Sequence, residues 1–312
     1  MKTELCELLG IEYPIIAGGM AHISDGAFAA AVSEAGGLGV IASCLNTPEW
    51  VEEQVAIARS KTDKPFAVNL IMESSIVEDV AHKCVELKVP ICTISAGKPD
   101  PVVKILVEGG VKVICLIPHA RAAKKMQDLG AVAVIAEGME SGGHIGRMQT
   151  LPMVRQVVDA VDIPVIAAGG IADGRGFLAA LALGAVGVQM GTVFLASDEC
   201  PISDAYKQAI VNAKDSDIDI TGKRNHKQVR CIKNAFWSHY WELVDTGAPQ
   251  EEQSAWVRDS IDIAVQGDLD RGCISAGSIA GLVKEIRPVA QIICDIDAQA
   301  DAAWAEMKRL YG

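Results

Sequence analysis

The chain has 312 residues, of which 50 % are apolar and 22 % charged, so it can bury a large core. Its formal net charge of −12 at pH 7 argues against nucleic acid or an anionic membrane as the partner of the whole surface. Nine cysteines are scattered without a CxxC pair, which predicts free thiols in a reducing cytoplasm and no metal site.

Short apolar runs recur along the first two thirds of the chain and predict buried strands. They lack strict alternation, as expected for parallel strands covered on both faces. Amphipathic stretches separate them, such as 48–61, which opens with Pro48, and 119–130, which closes with Gly130. Strands alternating with helices predict an α/β fold, a (β/α)8 TIM barrel. The predicted strands are 13–19, 38–43, 65–71, 90–96, 112–118, 131–138, 164–170 and 185–191.

The uncharged stretch 177–197 is long enough to cross a bilayer. Three glycines and the polar Gln189 interrupt it, and no second stretch resembles it. It therefore predicts a helix end, a glycine turn and a buried strand, and we expect no membrane partner.

The alternation of strands and helices stops after Thr192. Residues 198–274 predict a mainly helical insertion or lid, while 1–197 and 275–312 form the barrel. The period of 288–310 predicts a terminal helix that docks on the barrel. The insertion carries a basic cluster, which is either a solvated face or a docking site for a phosphate of a nicotinamide nucleotide, acyl carrier or coenzyme A. Its members are Lys223, Arg224, His226, Lys227 and Arg230.

Chemistry in a TIM barrel lies at the C-terminal ends of the strands. Here the seventh and eighth strands end in glycine turns, at Gly169-Gly170 and at Gly191. Such turns can aim backbone N–H groups at a phosphate, although a tight turn alone also explains a glycine pair. Asn69 and Gln189 are polar groups at strand ends that can contact a ligand or a core network.

One histidine, His144, lies among four glycines in the segment 137-EGMESGGHIG-146. Its pKa near neutrality suits proton donation or carbonyl polarisation, and the alternative is a surface residue. His22 and His119 also fall at strand ends and are structural or line a pocket. Cys44 follows the second strand, and nothing in the sequence marks it as an activated nucleophile.

Several segments together resemble the FMN-dependent enoyl-acyl-carrier-protein reductase II family and the related nitronate monooxygenases. They are 13-YPIIAGGM-20, 63-DKPFAVNL-70, 134-VIAEGMESGGHIG-146, 164-PVIAAGGIADGRG-176 and 188-VQMGT-192. The segments 229-VRCIKN-234 and 267-GDLDRGCISAGSIAGLVKEI-286 are more similar to the reductase branch. The resemblance covers most of the chain.

The resemblance implies an FMN-binding barrel with His144 as the active-site histidine. It implies that the FMN phosphate lies on Gly169, Gly170, Gly191 and Thr192. The remaining implied cofactor contacts are Gly18, Gly19, Met20, Asn69, Glu137, Gly142, Gly143, Ala168, Gln189 and Met190, and the implied substrate pocket includes His22, Ser95, Ala96 and Ser278. The reductase branch is a homodimer, takes NADH or NADPH as co-substrate, and can respond to a monovalent cation.

The chain departs from the reductase pattern around the implied substrate pocket, with Ala17, His22, 94-ISAGKP-99, Ser275 and Ser278 at positions that usually differ. The expected activity is therefore NAD(P)H-dependent reduction of the C=C bond of an enoyl thioester, on an acyl carrier or coenzyme A, or of a related conjugated carbonyl compound. Three alternatives remain open. They are a nitronate monooxygenase that uses O2, a flavin-free barrel enzyme that binds a phosphorylated metabolite, and a non-catalytic flavin-binding module.

Overall fold

The computed structural model describes residues 1–222 and 228–311. Eleven strands occur in this part of the chain. They are β1 Ile15–Ala17, β2 Gly39–Ala42, β3 Phe66–Ile71, β4 Ile91–Ser95, β5 Lys112–Ile117, β6 Ala133–Glu137, β7 Gly143–His144, β8 Val165–Ala168, β9 Gly187–Met190, β10 Ile218–Thr221 and β11 Val229–Ile232.

Eight of these strands form one parallel sheet in the order β1-β9-β8-β6-β5-β4-β3-β2. The sheet closes on itself where Ile16 of β1 forms a parallel bridge with Leu38, just before β2. All eight strands coincide with the apolar runs predicted from the sequence. The TIM barrel is therefore confirmed.

Helices connect the barrel strands on the outside. Several begin where the sequence provides a signal; for example, α3 starts at Pro48 and the Thr47 side chain accepts a hydrogen bond from Trp50 N. The helices that precede β9 are α1 Glu4–Leu9, α2 Gly26–Glu34, α3 Pro48–Lys61, α4 Val77–Glu86, α5 Asp100–Glu108, α6 Ala120–Asp128, α7 Thr150–Val158 and α8 Gly174–Ala182. The short helix α9, Thr192–Leu195, follows β9.

The uncharged stretch 177–197 divides into the end of α8, a turn, β9 and α9, as the sequence analysis predicts. Among residues 1–222 and 228–311, no helix combines the length and the apolar character that crossing a membrane requires.

The barrel strands bury both faces. Along β3, Ala67 joins a cluster inside the barrel, while Val68 and Leu70 pack in the layer between the strands and the outer helices. Leu5 and Leu9 of α1 belong to the inner cluster and so fill the N-terminal end of the barrel. The opposite, C-terminal end is the one that stays available for a site.

Residues 198–274 contain α10 Asp204–Asn212, α11 Ala235–Asp245, α12 Gln250–Val257 and α13 Ser260–Val265. They also contain a hairpin that the sequence analysis did not predict. In it β10 pairs antiparallel with β11, and β11 pairs with the two-residue strand β7. The insertion therefore holds the segment around His144 by strand pairing. The division of the chain into two domains stays a prediction.

The terminal helix α14, Val289–Tyr311, packs along α8 and also contacts α2. Gly174 makes the approach to α8 possible, because a Cβ there would lie 2.2 Å from Ala300 N. Docking of this helix on the barrel, expected from its sequence period, is thus observed.

Candidate active site at the mouth of the barrel

Polar side chains form the last inward-facing layer at the C-terminal end of the barrel. Side chains alternate along a strand, so the residue two positions after an inward-facing one also points inward. Ala67, Ile135 and Ile166 belong to the inner cluster. The next inward positions on their strands are Asn69, Glu137 and Ala168.

Asn69 is fixed by two neighbours on β4. Its Nδ2 donates to Thr93 Oγ1 at 2.9 Å, and Ser95 Oγ donates to its Oδ1 at 3.3 Å. Gly19 packs directly against it, since a Cβ at Gly19 would lie only 2.6 Å from Asn69 Cβ. The structure thus brings Gly19, Asn69 and Ser95 together. Thr93 was missed by the sequence analysis, although strand alternation alone places it inward.

Glu137 is the last residue of β6, and its buried carboxyl group receives little stabilisation from hydrogen-bond donors. Ser141 Oγ donates to Oε1 at 3.2 Å. Burial raises the pKa of Glu137 from 4.5 to about 7, and the Ser141 hydrogen bond opposes this only in part. The residue as a whole keeps some exposure, so the desolvation is that of a group facing a sheltered opening rather than the core.

Gln189, Gly18, Met20 and Gly191 meet where β9 pairs with β1. A Cβ at Gly18 would lie 3.4 Å from Gln189 Cδ, and one at Gly191 would lie 3.6 Å from Met20 Sδ. Gly18 N donates to Met190 O at 2.9 Å. The half-buried Gln189 amide has no hydrogen-bond partner among the residues described here, so it remains available to a ligand.

The turn after β8 lies against the glycine loop, which we define as residues 137–146. Gly169 and Gly170 have φ angles of +90° and +77°, a region that favours glycine. A Cβ at Gly169 would lie 2.7 Å from Gly138 O. Ala168, immediately before the turn, is buried and pairs with both Glu137 and Gln189.

Backbone donors at the two turns are free. Within residues 1–222 and 228–311, the N–H groups of Gly170, Gly191 and Thr192 meet no backbone or side-chain acceptor. The Thr192 hydroxyl accepts a hydrogen bond from Gly277 N at 2.8 Å, which leaves its own proton to donate. These groups suit an anion.

Two polar contacts hold the glycine loop in place. The Glu140 carboxylate accepts hydrogen bonds from Thr150 N and Thr150 Oγ1, the latter at 2.8 Å, and Thr150 Oγ1 also contacts Gly169 O at 3.0 Å. Arg230 of β11 donates from Nε and Nη2 to Met139 O, at 3.2 and 2.9 Å. The sequence analysis assigned neither role, and Arg230 and Met139 are 91 residues apart in the sequence.

His144 lies at the end of this loop, in β7, opposite Val229. Its side chain is exposed and has no hydrogen-bond partner in the part of the chain described. Gly143, with φ +69°, has open space where a side chain would stand, whereas Gly142 packs against the Ala276–Gly277 backbone. Strand pairing thus fixes the backbone of His144, and the exposed imidazole can contact a ligand.

The remaining predicted positions lie around the opening. Ala96, exposed and with φ +61°, follows Ser95 at the end of β4. Ser278 is exposed, and its N–H donates to Glu140 O at 2.9 Å. His22 makes a separate contact with the insertion, where its Nδ1 lies 2.7 Å from Asp262 Oδ1 of α13. Of the basic cluster, Arg230 contacts Met139 as above, and Lys223, Arg224, His226 and Lys227 lie outside the described residues.

No group of three or more His, Cys, Asp or Glu side chains in the described ranges has the arrangement of a metal site. The opening instead combines an inward polar layer, free backbone donors and an exposed imidazole.

The sequence model of the nitronate monooxygenase family matches residues 2–299. The chain belongs to the nitronate monooxygenase family. Members of this family are flavin-dependent oxidoreductases.

Relatives within and around the nitronate monooxygenase family carry different names. A probable nitronate monooxygenase of Staphylococcus aureus is 32 % identical, with 90 % of this chain and 88 % of the relative covered. A (3aS,4S,5R,7aS)-5-hydroxy-7a-methyl-1-oxo-octahydro-1H-indene-4-carboxyl-CoA dehydrogenase of Rhodococcus jostii is 30 % identical, with 96 % of each covered. The solved structure of FabK from Thermotoga maritima is 43 % identical, covers 99 % of both chains and superposes with a TM-score of 0.96.

Proposed function

We propose that the chain is an FMN-dependent, NAD(P)H-driven reductase of the C=C bond of an enoyl thioester or a related conjugated carbonyl compound. The observation that carries this proposal is the 43 % identity with FabK, an enoyl-acyl-carrier-protein reductase II, over 99 % of both chains. Identity with the probable nitronate monooxygenase of S. aureus is lower, at 32 %.

The residues at the barrel mouth fit FMN. The free N–H groups of Gly170, Gly191 and Thr192 can hold its phosphate, beside the turn at Gly169. Glu137 has a buried carboxyl that gains from a hydrogen-bond donor, and the Gln189 amide has no partner among the described residues. Gly18, Gly19, Met20, Asn69 and Gly142 are the further groups we expect at the cofactor.

FMN supplies, when bound, the transfer of a hydride from a nicotinamide to the β-carbon of the substrate. The chain supplies the proton and the orientation. His144, exposed at the end of the glycine loop, would deliver a proton to the α-carbon, directly or through water, or polarise the carbonyl as negative charge develops on it. Glu140 and Arg230 keep the loop that carries His144 in position.

Coenzyme A thioesters are the substrate class we favour. The Rhodococcus relative acts on a carboxyl-CoA compound, as its name states, and its identity of 30 % extends over 96 % of the chain. Four residues depart from the enoyl-acyl-carrier-protein reductase pattern at positions that the resemblance assigns to the surroundings of the substrate pocket; they are Ala17, His22, Ser275 and Ser278. An altered pocket with an unaltered phosphate site predicts the same chemistry on a different acyl group.

An anaerobic absorbance titration of the purified protein tests the proposal. NADH or NADPH should bleach the flavin bands, and crotonyl-CoA added afterwards should restore them. A preparation that stays colourless when FMN is added would contradict FMN binding. Bleaching by nicotinamide without reoxidation by crotonyl-CoA, trans-2-octenoyl-CoA or an enone would contradict the assigned substrate class.

Nitronate oxidation is the second candidate, favoured by the family match over residues 2–299. In that case a propyl-2-nitronate titration would bleach the flavin without any nicotinamide, O2 would restore the colour, and NADH and NADPH would have no effect. His144 would then act as a base or as the partner of the anion.

The resemblance to the reductase branch also leads to an expectation about assembly and location. We expect a homodimer in the cytoplasm, and varying the monovalent cation in the assays tests whether turnover responds to it. All nine cysteines are free and eight are buried, which agrees with a reducing compartment. Sedimentation of the holoprotein measures the assembly directly.

A further inference from the structure

A pair of an imidazole and a carboxylate joins the insertion to the barrel where β1 ends. His22 Nδ1 lies 2.7 Å from Asp262 Oδ1 on α13. Among the residues described, no other hydrogen bond or ion pair links the insertion to residues 1–71 of the barrel. The side chains are 36 % and 37 % exposed, and both line an opening of about 180 Å³, so they can separate without a clash.

On the barrel side, His22 belongs to a tight turn that follows β1. Ser24 Oγ accepts a hydrogen bond from Met20 N at 3.1 Å and donates to Gly18 O at 3.4 Å. Ile23 N and Ser24 N both donate to Met20 O, at 3.0 and 2.9 Å. The φ angle of His22 is +64°, a region that an L-residue adopts only rarely. The turn therefore fixes the position of the imidazole relative to the barrel.

On the insertion side, Asp262 lies on a short helix that is bonded to the substrate side of the mouth. The carbonyl of Ser260, in the first turn of α13, accepts a hydrogen bond from Cys273 N at 2.8 Å. Cys273 begins the segment 273–278, which includes the implied pocket residue Ser278. A displacement of α13 is therefore passed to the beginning of this segment.

The end of the segment 273–278 is held independently of α13. Gly277 N donates to Thr192 Oγ1 at 2.8 Å, and Ser278 N donates to Glu140 O at 2.9 Å. These bonds attach the end of the segment to the side of the mouth that carries the free N–H groups. We therefore expect the contact between His22 and Asp262 to affect the acyl substrate rather than FMN.

The protonation state of His22 sets the strength of the contact. Its pKa is raised above the ordinary 6.5, with the Cys44 thiol as the largest cause; burial opposes the rise, and the charges of Asp262 and Asp259 add to it. Asp25 is a further carboxylate that lines the neighbouring opening. Because the folded-state pKa is raised, the attraction is fully present below pH 6.5 and is lost as pH rises through that pKa.

We propose that His22 and Asp262 are positioning residues that clamp the insertion to the barrel and so shape the substrate side of the mouth. The protonated imidazole holds α13 in place, and with it the beginning of the segment 273–278. Loss of the proton weakens the clamp, because a charge-assisted hydrogen bond becomes an ordinary one. The clamp is a property of the fold, and it rests on the proposed function only in taking an enoyl thioester as the substrate.

Hydrogen exchange of the full-length protein, followed by peptide mass spectrometry, tests the clamp without any substrate. After correction for the intrinsic chemical rate, wild-type peptides that cover 259–275 should exchange about threefold faster at pH 8.5 than at pH 6. Asp262→Asn should exchange at the faster corrected rate at both pH values, and Asp262→Glu should restore part of the protection at pH 6. Equal exchange of the wild type and Asp262→Asn at pH 6 would overturn the proposal.

A second pair of histidine and carboxylate in the insertion provides the matched control. His239 Nδ1 lies 3.1 Å from Glu242 Oε2, and both residues belong to α11, so this pair does not reach the barrel. Glu242→Gln should leave the exchange of 259–275 and its pH dependence unchanged. The same loss of protection in Glu242→Gln and Asp262→Asn would refute the clamp, because any lost charge in the insertion would then loosen it.

Steady-state kinetics with crotonyl-CoA test the consequence for the reaction. At pH 6, Asp262→Asn should raise KM about threefold to tenfold with little change in kcat and with unchanged flavin content after gel filtration. The wild-type KM should approach that of the variant at pH 8.5. Altered exchange with an unchanged KM would overturn the role in substrate positioning. A wild type that does not reduce crotonyl-CoA would contradict the proposed function, and the exchange experiment alone would then decide the clamp.

Discussion

The two sides of the barrel mouth present different chemical groups. At the ends of β8 and β9, the groups that face the opening are main-chain N–H groups at Gly170, Gly191 and Thr192. At the ends of β1 and β2, the contact is made by ionisable side chains, because His22 Nδ1 lies 2.7 Å from Asp262 Oδ1 of the insertion.

The difference teaches where variation is tolerated. A phosphate held by main-chain N–H groups needs only that the turn keeps its conformation, so most side-chain changes nearby leave it intact. A contact between an imidazole and a carboxylate, such as His22 with Asp262, is lost with a single substitution. The departures from the reductase pattern at Ala17 and His22 fall on the second side. We expect the first side to keep the cofactor and the second to set what reacts.

His144→Ala is expected to have the largest effect and separates binding from chemistry. Turnover should fall about 100-fold or more, because a positioned proton donor contributes that much, while FMN stays bound. Stopped-flow reoxidation of the flavin by crotonyl-CoA measures the chemical step, and the flavin content after gel filtration measures FMN binding. His82→Ala, on the exposed surface of α4, is the control. Unchanged turnover in His144→Ala would remove this residue from the mechanism.

Gly169→Val tests the main-chain side. Its Cβ would meet Gly138 O at 2.7 Å and displace the turn, so FMN should bind about tenfold or more weakly for each charge-assisted hydrogen bond lost. Gly247→Val is the matched control, since Gly247 also has positive φ, +73°, but no heavy atom within 4 Å of a built Cβ. Equal FMN affinity in both variants would show that the phosphate lies elsewhere.

The barrel could be predicted from the sequence because each parallel strand is a contiguous apolar run, and strand ends then give Asn69, Glu137 and Gln189 by position. The hairpin β10–β11 was missed because its strands are four residues each and its partner β7 has two. The contacts of Arg230 with Met139 and of His22 with Asp262 join residues 91 and 240 positions apart, and no local pattern encodes such pairs.

Arg230→Met asks whether the insertion positions the chemistry or captures a ligand. Two hydrogen bonds to Met139 O are lost, so the loop that carries His144 should loosen and kcat should fall about threefold to tenfold with little change in KM. Arg230→Lys keeps the charge but not the two-donor geometry, and it should resemble Arg230→Met. A rise in KM for NADPH alone, rescued by lysine, would instead identify Arg230 as a phosphate-docking residue.

Glu137→Gln has the smallest expected effect. It tests whether the Glu137 carboxylate accepts a hydrogen bond from the bound cofactor. The folded-state pKa, about 7, exceeds the ordinary 4.5, so the folded apoprotein binds more protons across this window and its free energy of unfolding falls as pH rises from 4.5 to 7. The variant should lack this decline, which after allowance for residual exposure amounts to about 1 kcal/mol. Urea denaturation of both apoproteins at pH 5 and pH 7.5 measures it. With FMN bound, a donor at the carboxylate would lower the pKa and flatten the wild-type decline; a decline of the same size with and without FMN would mean that Glu137 does not contact the cofactor.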